Sequence, residues 1–388
     1  MSQTASTTLG APEQTVRGPV VDCDLHNDLP SIAPLVPHLP DHWVEHFLTT
    51  EFKGPSDTYY PPAQFLDDRQ IAERLGRSER GEEGAAADLS SAQKRGAGAG
   101  RRAPALDPAS ISTYLDQTGA EQAILNCCYA VDSLHNPDQA VTLARAVNDW
   151  QVAEWLERDS RLRASIVVPI QIPSLAIEEI ERVGDHPGFV QVFLPVRSAH
   201  PYGSRLYHEL WDSVARHDLV AGIHFGGAPG NPSTPVGWPS YYFEEYVGMA
   251  GVFASQVTSL VTEGVFQRHP HLRVTLSESG CTWLPSHMWR FNKDWKNLRS
   301  LTPWVKRSPS EYIREHFRLT IEPFDWPNDT RGLEELVDRL GSEEMLLYST
   351  DFPHQSAGPR AERLAAEIPP ALAAKVLRDN AREWYRLG

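Results

Sequence analysis

The sequence has few of the features that mark secreted or membrane-bound chains. It holds four cysteines in 388 residues, at positions 23, 127, 128 and 281, and no CxxC pair. This pattern excludes a disulfide framework and a zinc ribbon. No run of residues approaches the roughly 18 apolar residues of a membrane helix, and residues 1–8 lack the basic and apolar regions of a signal peptide. We therefore predict a cytoplasmic protein with reduced thiols in its core.

An excess of basic residues is also missing. The chain has 36 Lys and Arg against 51 Asp and Glu, which gives a formal net charge of −15. Nucleic acids and anionic membranes bind to basic surfaces, so neither is an expected partner. Apolar residues make up 41% and charged residues 22% of the chain, which is ordinary for a globular protein and excludes a mainly disordered one.

Three segments depart from regular patterning. Residues 1–17 are polar and predict a flexible tail, and residues 77–102 are rich in Gly, Ala, Ser and charge and predict a flexible loop. Residues 27–70 are rich in Pro, His and aromatics, which predicts a long irregular insertion after the first strand, because proline interrupts regular elements. We assign residues 1–388 to a single domain that carries these segments.

Short apolar runs alternate with helix-length segments along the rest of the chain. The predicted strands are residues 19–26, 122–127, 164–169, 189–194, 219–224, 273–277, 318–321 and 345–349. Alternating strands and helices imply parallel pairing with right-handed crossovers. Eight such units favour an α/β fold of the closed (β/α)8 TIM barrel type. An open doubly wound sheet is the alternative, but no GxGxxG motif follows the first strand.

Polar residues cluster where four of the predicted strands end, and barrel enzymes place reacting groups there. Asp24 and His26 are two positions apart on the first strand, so both side chains can point inward. His224 ends the fifth strand and adds a third metal ligand. Asp351, after the eighth strand, is a fourth ligand or a base acting on a metal-bound water. Imidazole and carboxylate together suit Zn, Fe, Mn or Ni.

Two further residues extend this set. Glu278 follows the sixth strand and His354 follows the eighth, and together they are candidate ligands of a second ion. The candidate catalytic residues are Asp351 and Glu278. Structural roles remain open: Asp351 can cap a helix, and Glu278 can pair with Arg290.

Four motifs resemble the amidohydrolase superfamily. They are Asp-x-His after the first strand, His-x-Gly after the fifth, Glu-x-Gly-x-x-Trp-x-Pro after the sixth and Ser/Thr-Asp-Phe-Pro-His after the eighth. The branch resembled is amidohydrolase 2, which includes aminocarboxymuconate semialdehyde decarboxylase. Those decarboxylases usually carry His-x-His or Glu-x-His on the first strand and a catalytic His after the sixth. This chain has Asp24 and Glu278 there instead, so it is more similar to the non-haem dinuclear iron hydroxylases of the superfamily.

That resemblance implies two divalent ions, with Fe favoured over Mn or Zn, held by Asp24, His26, His224, Glu278, Asp351 and His354. It implies an O2-dependent hydroxylase, or monooxygenase, that acts on a small carboxylate or its thioester. An electron-donating reductase or ferredoxin and a homo- or hetero-oligomer are the expected protein partners. The alternative is a metal-dependent hydrolase or decarboxylase of a small carboxylate substrate. A non-catalytic barrel subunit is a third hypothesis, which the complete ligand set disfavours.

Overall fold

Eight parallel strands form one sheet in which every strand pairs with its neighbours in sequence. The computed structural model describes residues 19–29, 31–55, 107–227, 232–326, 330–354, 364–366 and 368–388. The strands are β1 Val20–Leu25, β2 Ala120–Leu125, β3 Leu162–Val167, β4 Phe189–Arg197, β5 Val220–Gly227, β6 Arg273–Ser277, β7 Phe317–Thr320 and β8 Leu346–Leu347. This sheet confirms the predicted (β/α)8 TIM barrel.

Helices lie between consecutive strands, as right-handed parallel crossovers require. In the described part of the chain they are α1 Asp41–Thr49, α2 Pro108–Thr118, α3 Pro137–Gln151, α4 Pro173–Val183, α5 His208–Arg216, α6 Tyr242–Thr262, α7 Val265–Arg268, α8 Trp283–Leu298, α9 Pro309–His316, α10 Thr330–Leu340, α11 Pro370–Ala374 and α12 Asn380–Tyr385. Several begin with proline in their first turn, where the missing N–H is not needed. None of the helices in these described ranges is long and apolar enough to cross a membrane.

The barrel closes where β8 meets β1. The amide of Cys23 donates to Tyr348 O at 2.9 Å, that of Asp351 donates to Asp24 O at 3.0 Å, and that of His26 donates to Phe352 O at 2.8 Å. β1 carries one extra residue relative to β2 between Asp22 and Leu25, which is a β-bulge. The seam and the bulge therefore lie beside the first predicted ligands.

The insertion after β1 is more regular than its composition predicts. A 3-10 turn covers Ala33–His38 and α1 begins immediately after Pro40. The interpretation that the prolines break every element here was wrong, because Pro40 precedes the helix and removes no hydrogen bond from it. The predicted tail at 1–17 and flexible loop at 77–102 lie outside the described residues.

Candidate metal centre

The six predicted ligands lie at the carboxyl ends of β1, β5, β6 and β8, and the fold brings them together. They form two overlapping groups, within each of which one ligand atom per residue lies within 4.8 Å of the others. The first group is Asp24, His26, His224 and Glu278, and the second is His26, Glu278, Asp351 and His354. All are buried except His354, which is half-buried.

The atoms at the centre of the first group are spaced like the ligands of one ion. His26 Nε2 lies 3.4 Å from Asp24 Oδ1 and 3.7 Å from Glu278 Oε1. His224 Nε2 lies at the same two distances from those oxygens. Asp351 Oδ1 is 3.0 Å from His26 Nε2. Ligand atoms bound at about 2.1 Å to one ion are separated by distances of this size.

Both histidines are held in the tautomer that a metal needs. Nδ1 of His26 donates to Asn126 O, and Nδ1 of His224 donates to Phe225 O, each at 2.8 Å. A carbonyl can only accept, so Nδ1 carries a proton in each ring, and Nε2 is the nitrogen whose lone pair can bind a metal. Within the described residues, both Nε2 atoms and Oδ2 of Asp24 are buried without a hydrogen-bond partner. Leaving such atoms unpaired is costly, so the site fits a bound cation.

The charged groups of the site shift each other's pKa values. Burial alone would raise the pKa of Asp24, but the imidazoles of His224 and His26 lower it below its usual value. Burial lowers the pKa of His224, and the charge of Asp24 more than reverses this and raises it to about 9. In the metal-free protein a proton on His224 therefore offsets part of the negative charge.

His354 differs from the other two histidines because both its ring nitrogens face carboxylates. Nδ1 lies 2.6 Å from Asp351 Oδ1, and Nε2 lies 3.2 Å from Asp28 Oδ2. Burial disfavours the charged imidazolium, but these hydrogen bonds raise the pKa of His354 to about 11. The pKa of Asp351 is correspondingly well below its usual value, although burial alone would raise it. His354 is therefore an imidazolium that joins two carboxylates.

Glu278 and Asp351 stand on strained backbone. Their φ angles are +56° and +55°, a left-handed conformation that costs a non-glycine residue about 1–3 kcal/mol and is common at functional sites. Glu278 does not pair with Arg290: the Arg290 side chain is 85% exposed, and its guanidinium lies 3.7 Å from Asp294. The structural alternative proposed for Glu278 was wrong in this respect.

Sequence reasoning missed four residues beside the ligands. Asn126 directly follows β2 and donates from Nδ2 to Asp24 Oδ1 at 2.8 Å, so the strand-end rule could have found it. Asp28 contacts His354. Cys128 Sγ lies 3.4 Å from His26 Nδ1. The fourth is Asp22, a second buried carboxylate on β1.

Asp22 binds the segment that follows β8. Its Oδ2 accepts from Thr350 Oγ1 at 2.6 Å, and its Oδ1 accepts from the amides of Thr350 and Asp24 at 3.1 and 3.2 Å. Burial raises the pKa of Asp22 to about 7, although the hydrogen bonds from Thr350 lower it. Asp22 thus holds the β1–β8 seam just below the site.

Arg197, the last residue of β4, is engaged within the protein. It is buried, its Nη2 donates to Gly227 O at 3.1 Å, and the same atom lies 3.4 Å from Glu245 Oε1 on α6. The guanidinium joins the end of β4 to α6.

Known proteins resemble this chain over most of its length. A family model described as "Amidohydrolase" matches residues 21–387. The gamma-resorcylate decarboxylase of Rhodococcus jostii (strain RHA1) is 28% identical over 294 residues, which are 70% of this chain and 85% of that protein.

Two solved structures share the fold. The dihydroxybenzoic acid decarboxylase of Polaromonas sp. JS666, with bound manganese and the inhibitor 2-nitroresorcinol, is 22% identical with a TM-score of 0.58, covering 95% of this chain and 97% of that one. The 5-carboxyvanillate decarboxylase of Novosphingobium aromaticivorans DSM 12444, complexed with manganese and a nitrobenzoic acid, is 17% identical with a TM-score of 0.65, covering 98% and 100%.

These relatives overturn one prediction. The expected O2-dependent monooxygenase, and with it an oxidoreductase activity, was wrong, because the similar curated protein is a decarboxylase. The physical error was to infer oxygen chemistry from the number of candidate ligands. A count of candidate ligands does not show which ring nitrogens are already hydrogen-bonded. In His354 both of them are.

Proposed function

The chain belongs to the amidohydrolase family, and from that premise we propose that it is a metal-dependent decarboxylase of a hydroxylated aromatic acid. The observation that carries the proposal is the pair of buried imidazoles, His26 and His224, whose Nε2 atoms both lie 3.4 Å from Asp24 Oδ1. The aromatic acid comes from the relatives, which act on gamma-resorcylate and 5-carboxyvanillate.

One divalent ion fits the donor set, with Asp24, His26, His224 and Asp351 as its ligands and Glu278 beside them. Both solved structures described above contain manganese, and mixed imidazole and carboxylate donors suit this ion. When bound, the ion supplies positive charge that attracts the substrate's oxygens and stabilises negative charge that develops during the reaction.

His354 favours one ion over two. A ring nitrogen binds a metal through its lone pair, and both nitrogens of His354 face carboxylate oxygens as donors. A protonated imidazole also repels a second cation. The pair of iron ions expected from the sequence stays a prediction, and metal analysis decides it.

The protein's own residues hold the proton that the reaction consumes. Decarboxylation breaks the bond between the ring carbon and the carboxyl carbon, CO2 leaves, and the bonding electrons on the ring carbon take up one proton. We assign that proton to the Asp351–His354 pair, where it rests on Nδ1, 2.6 Å from Asp351 Oδ1. Asp28, whose side chain is 40% exposed, contacts the other ring nitrogen and connects the pair to solvent for the next proton.

The overall reaction is redox-neutral and needs no external electron donor, so no reductase or ferredoxin is required. The expected partner is the small-molecule substrate alone. An oligomeric assembly remains a prediction from the sequence.

The test is the release of CO2 from hydroxylated aromatic acids. Purified protein loaded with Mn2+ is incubated with 2,6-dihydroxybenzoate, 5-carboxyvanillate and benzoate, and the products are identified by mass. We expect CO2 from a hydroxylated acid and, in D2O, one deuterium at the vacated carbon. Asp24→Asn should lower metal content, whereas His354→Asn should keep the metal and lower kcat at least about 100-fold. Phenyl acetate and acetanilide are supplied in parallel, and hydrolysis of either without CO2 release from any of the acids would overturn the proposal in favour of a hydrolase.

A further inference from the structure

A chain of buried polar side chains runs inside the barrel from the candidate ligands to the last helix. We call it the polar column; its members are Asn126, Ser165, Gln191, Thr275, Trp384 and Tyr385. All six are buried. Hydrogen bonds in such surroundings are stronger than in water, and a fully satisfied network fixes the positions of its members.

The upper end of the column orients two candidate ligands through one residue. Asn126 donates from Nδ2 to Asp24 Oδ1, and its backbone carbonyl accepts from His26 Nδ1, each at 2.8 Å. Its Oδ1 accepts from Ser165 Oγ at 2.5 Å and from Gln191 Nε2 at 3.1 Å. Any movement of this amide therefore moves the donor that Asp24 faces.

The lower end of the column lies on α12. Tyr385 Oη donates to Gln191 Oε1 at 2.8 Å and lies 2.9 Å from Thr275 Oγ1. Trp384 Nε1 donates to Thr275 Oγ1 at 3.0 Å. The hydroxyl of Tyr385 has one hydrogen, so when it donates to Gln191 it accepts from Thr275.

The chemistry of the two ends fixes the direction of every bond between them. An indole N–H only donates, and an ionised carboxylate only accepts. With Trp384 at one end and Asp24 at the other, each hydroxyl and amide in the column has to donate toward Asp24. This order presents the NH2 group of Asn126, and not its oxygen, to the carboxylate.

We propose that Tyr385 is a positioning residue of the metal centre, holding Asn126 and thereby Asp24 and His26 in the arrangement that binds the ion. The inference rests on the metal site of the proposed function. The Tyr385 hydroxyl is the only donor in the column that reaches Gln191 Oε1 among the described contacts. Without it, the Gln191 amide loses the bond that fixes its orientation.

Gly222 on β5 gives a second way to disturb the column. A Cβ at this position would lie 2.2 Å from Gln191 Cδ and 2.3 Å from its Nε2. The glycine therefore leaves room for the Gln191 side chain, which comes from the neighbouring strand β4. Gly222→Ala displaces that amide without changing any hydrogen-bonding group.

The experiment measures Mn2+ binding to the full chain by competition with a fluorescent chelator. We expect Tyr385→Phe and Gly222→Ala to raise the Kd about tenfold, the lower range for residues that orient ligands without binding the ion. The matched control is Tyr312→Phe, which removes a buried hydroxyl that accepts from Gln267 and Lys306 on the outside of the barrel. The control should match the melting temperature of Tyr385→Phe and keep the wild-type Kd.

A second readout needs no metal. In protein labelled with 15N-asparagine and kept in EDTA, the side-chain amide resonances of Asn126 should move in Tyr385→Phe and Gly222→Ala and stay in Tyr312→Phe. An unchanged Kd, or unchanged resonances, in Tyr385→Phe would overturn the positioning role. Wild-type protein that binds no Mn2+ would refute the proposed function instead, and the resonances would still decide the role of Tyr385.

Discussion

Replacing Asp22 with Asn should raise the stability of the protein relative to the wild type as the pH increases. Asp22 is 1% exposed, and burial raises its pKa to about 7 from an ordinary value of 3.8. The folded state therefore binds a proton that the unfolded state has released between these two pH values. Stability from a raised carboxyl pKa is complete below pH 3.8 and is lost as the pH rises to 7.

The magnitude follows from the same shift. Each pH unit between the two pKa values costs about 1.4 kcal/mol, so the wild type should lose about 2.5 kcal/mol between pH 5 and pH 8 from this carboxyl alone. Asp22→Asn cannot ionise and keeps an oxygen for the amides of Thr350 and Asp24. The stability of the variant relative to the wild type should thus rise by that amount over the range.

Urea unfolding in EDTA at pH 5, 6, 7 and 8 measures this difference, because a bound ion would change the charge beside Asp22. The control is Asp338→Asn, which alters an exposed carboxylate on α10 and should show no such slope. A constant difference between Asp22→Asn and the wild type across the four pH values would show that Asp22 is ionised throughout. The hydrogen bonds from Thr350 would then outweigh burial, contrary to our reasoning.

Two further predictions concern the proposed metal ligands. Because the pKa of His224 is raised to about 9, Mn2+ has to displace a proton, and its affinity should rise about tenfold per pH unit from pH 6 to pH 8; calorimetry across this range that finds a flat affinity would contradict the assignment of His224. Glu278→Gln should keep one Mn2+ per chain by elemental analysis and bind it about tenfold more weakly. A fall from two ions to one in that variant would instead support the dinuclear centre.

The barrel was predictable because its signals are local. Each apolar run is short, and each is followed by a helix-length segment, so the order β1 to β8 follows from counting. The strand-end rule then located Asp24, His224 and Asp351 at one mouth. The predicted strand ends were less accurate. β4 continues to Arg197 and β5 to Gly227, because tertiary pairing and not composition decides where a strand ends.

The remaining features depend on contacts between distant segments. The bulge in β1 is invisible in the sequence, yet it changes which side chains of β1 face the site. The imidazole of His354 is a candidate ligand by residue type alone, and only its two carboxylate partners, Asp28 and Asp351, show it to be charged. Residue types can thus indicate a candidate metal site, while the number of ions that it could hold depends on which ligand atoms are already hydrogen-bonded.

A metal ion bound at the seam between β1 and β8 would stabilise the closed form of the barrel. Asp22 and Thr350, which bond across it, are 328 positions apart, so this contact closes a long loop and carries a large loop-closure entropy. An ion shared by Asp24 and Asp351 would tie the first strand to the last. At 100 times its Kd it would add about 2.7 kcal/mol to the closed ring. Metal-free protein should therefore open first along this line, and protection of the amides of Cys23, His26 and Asp351 from hydrogen exchange should rise with metal concentration.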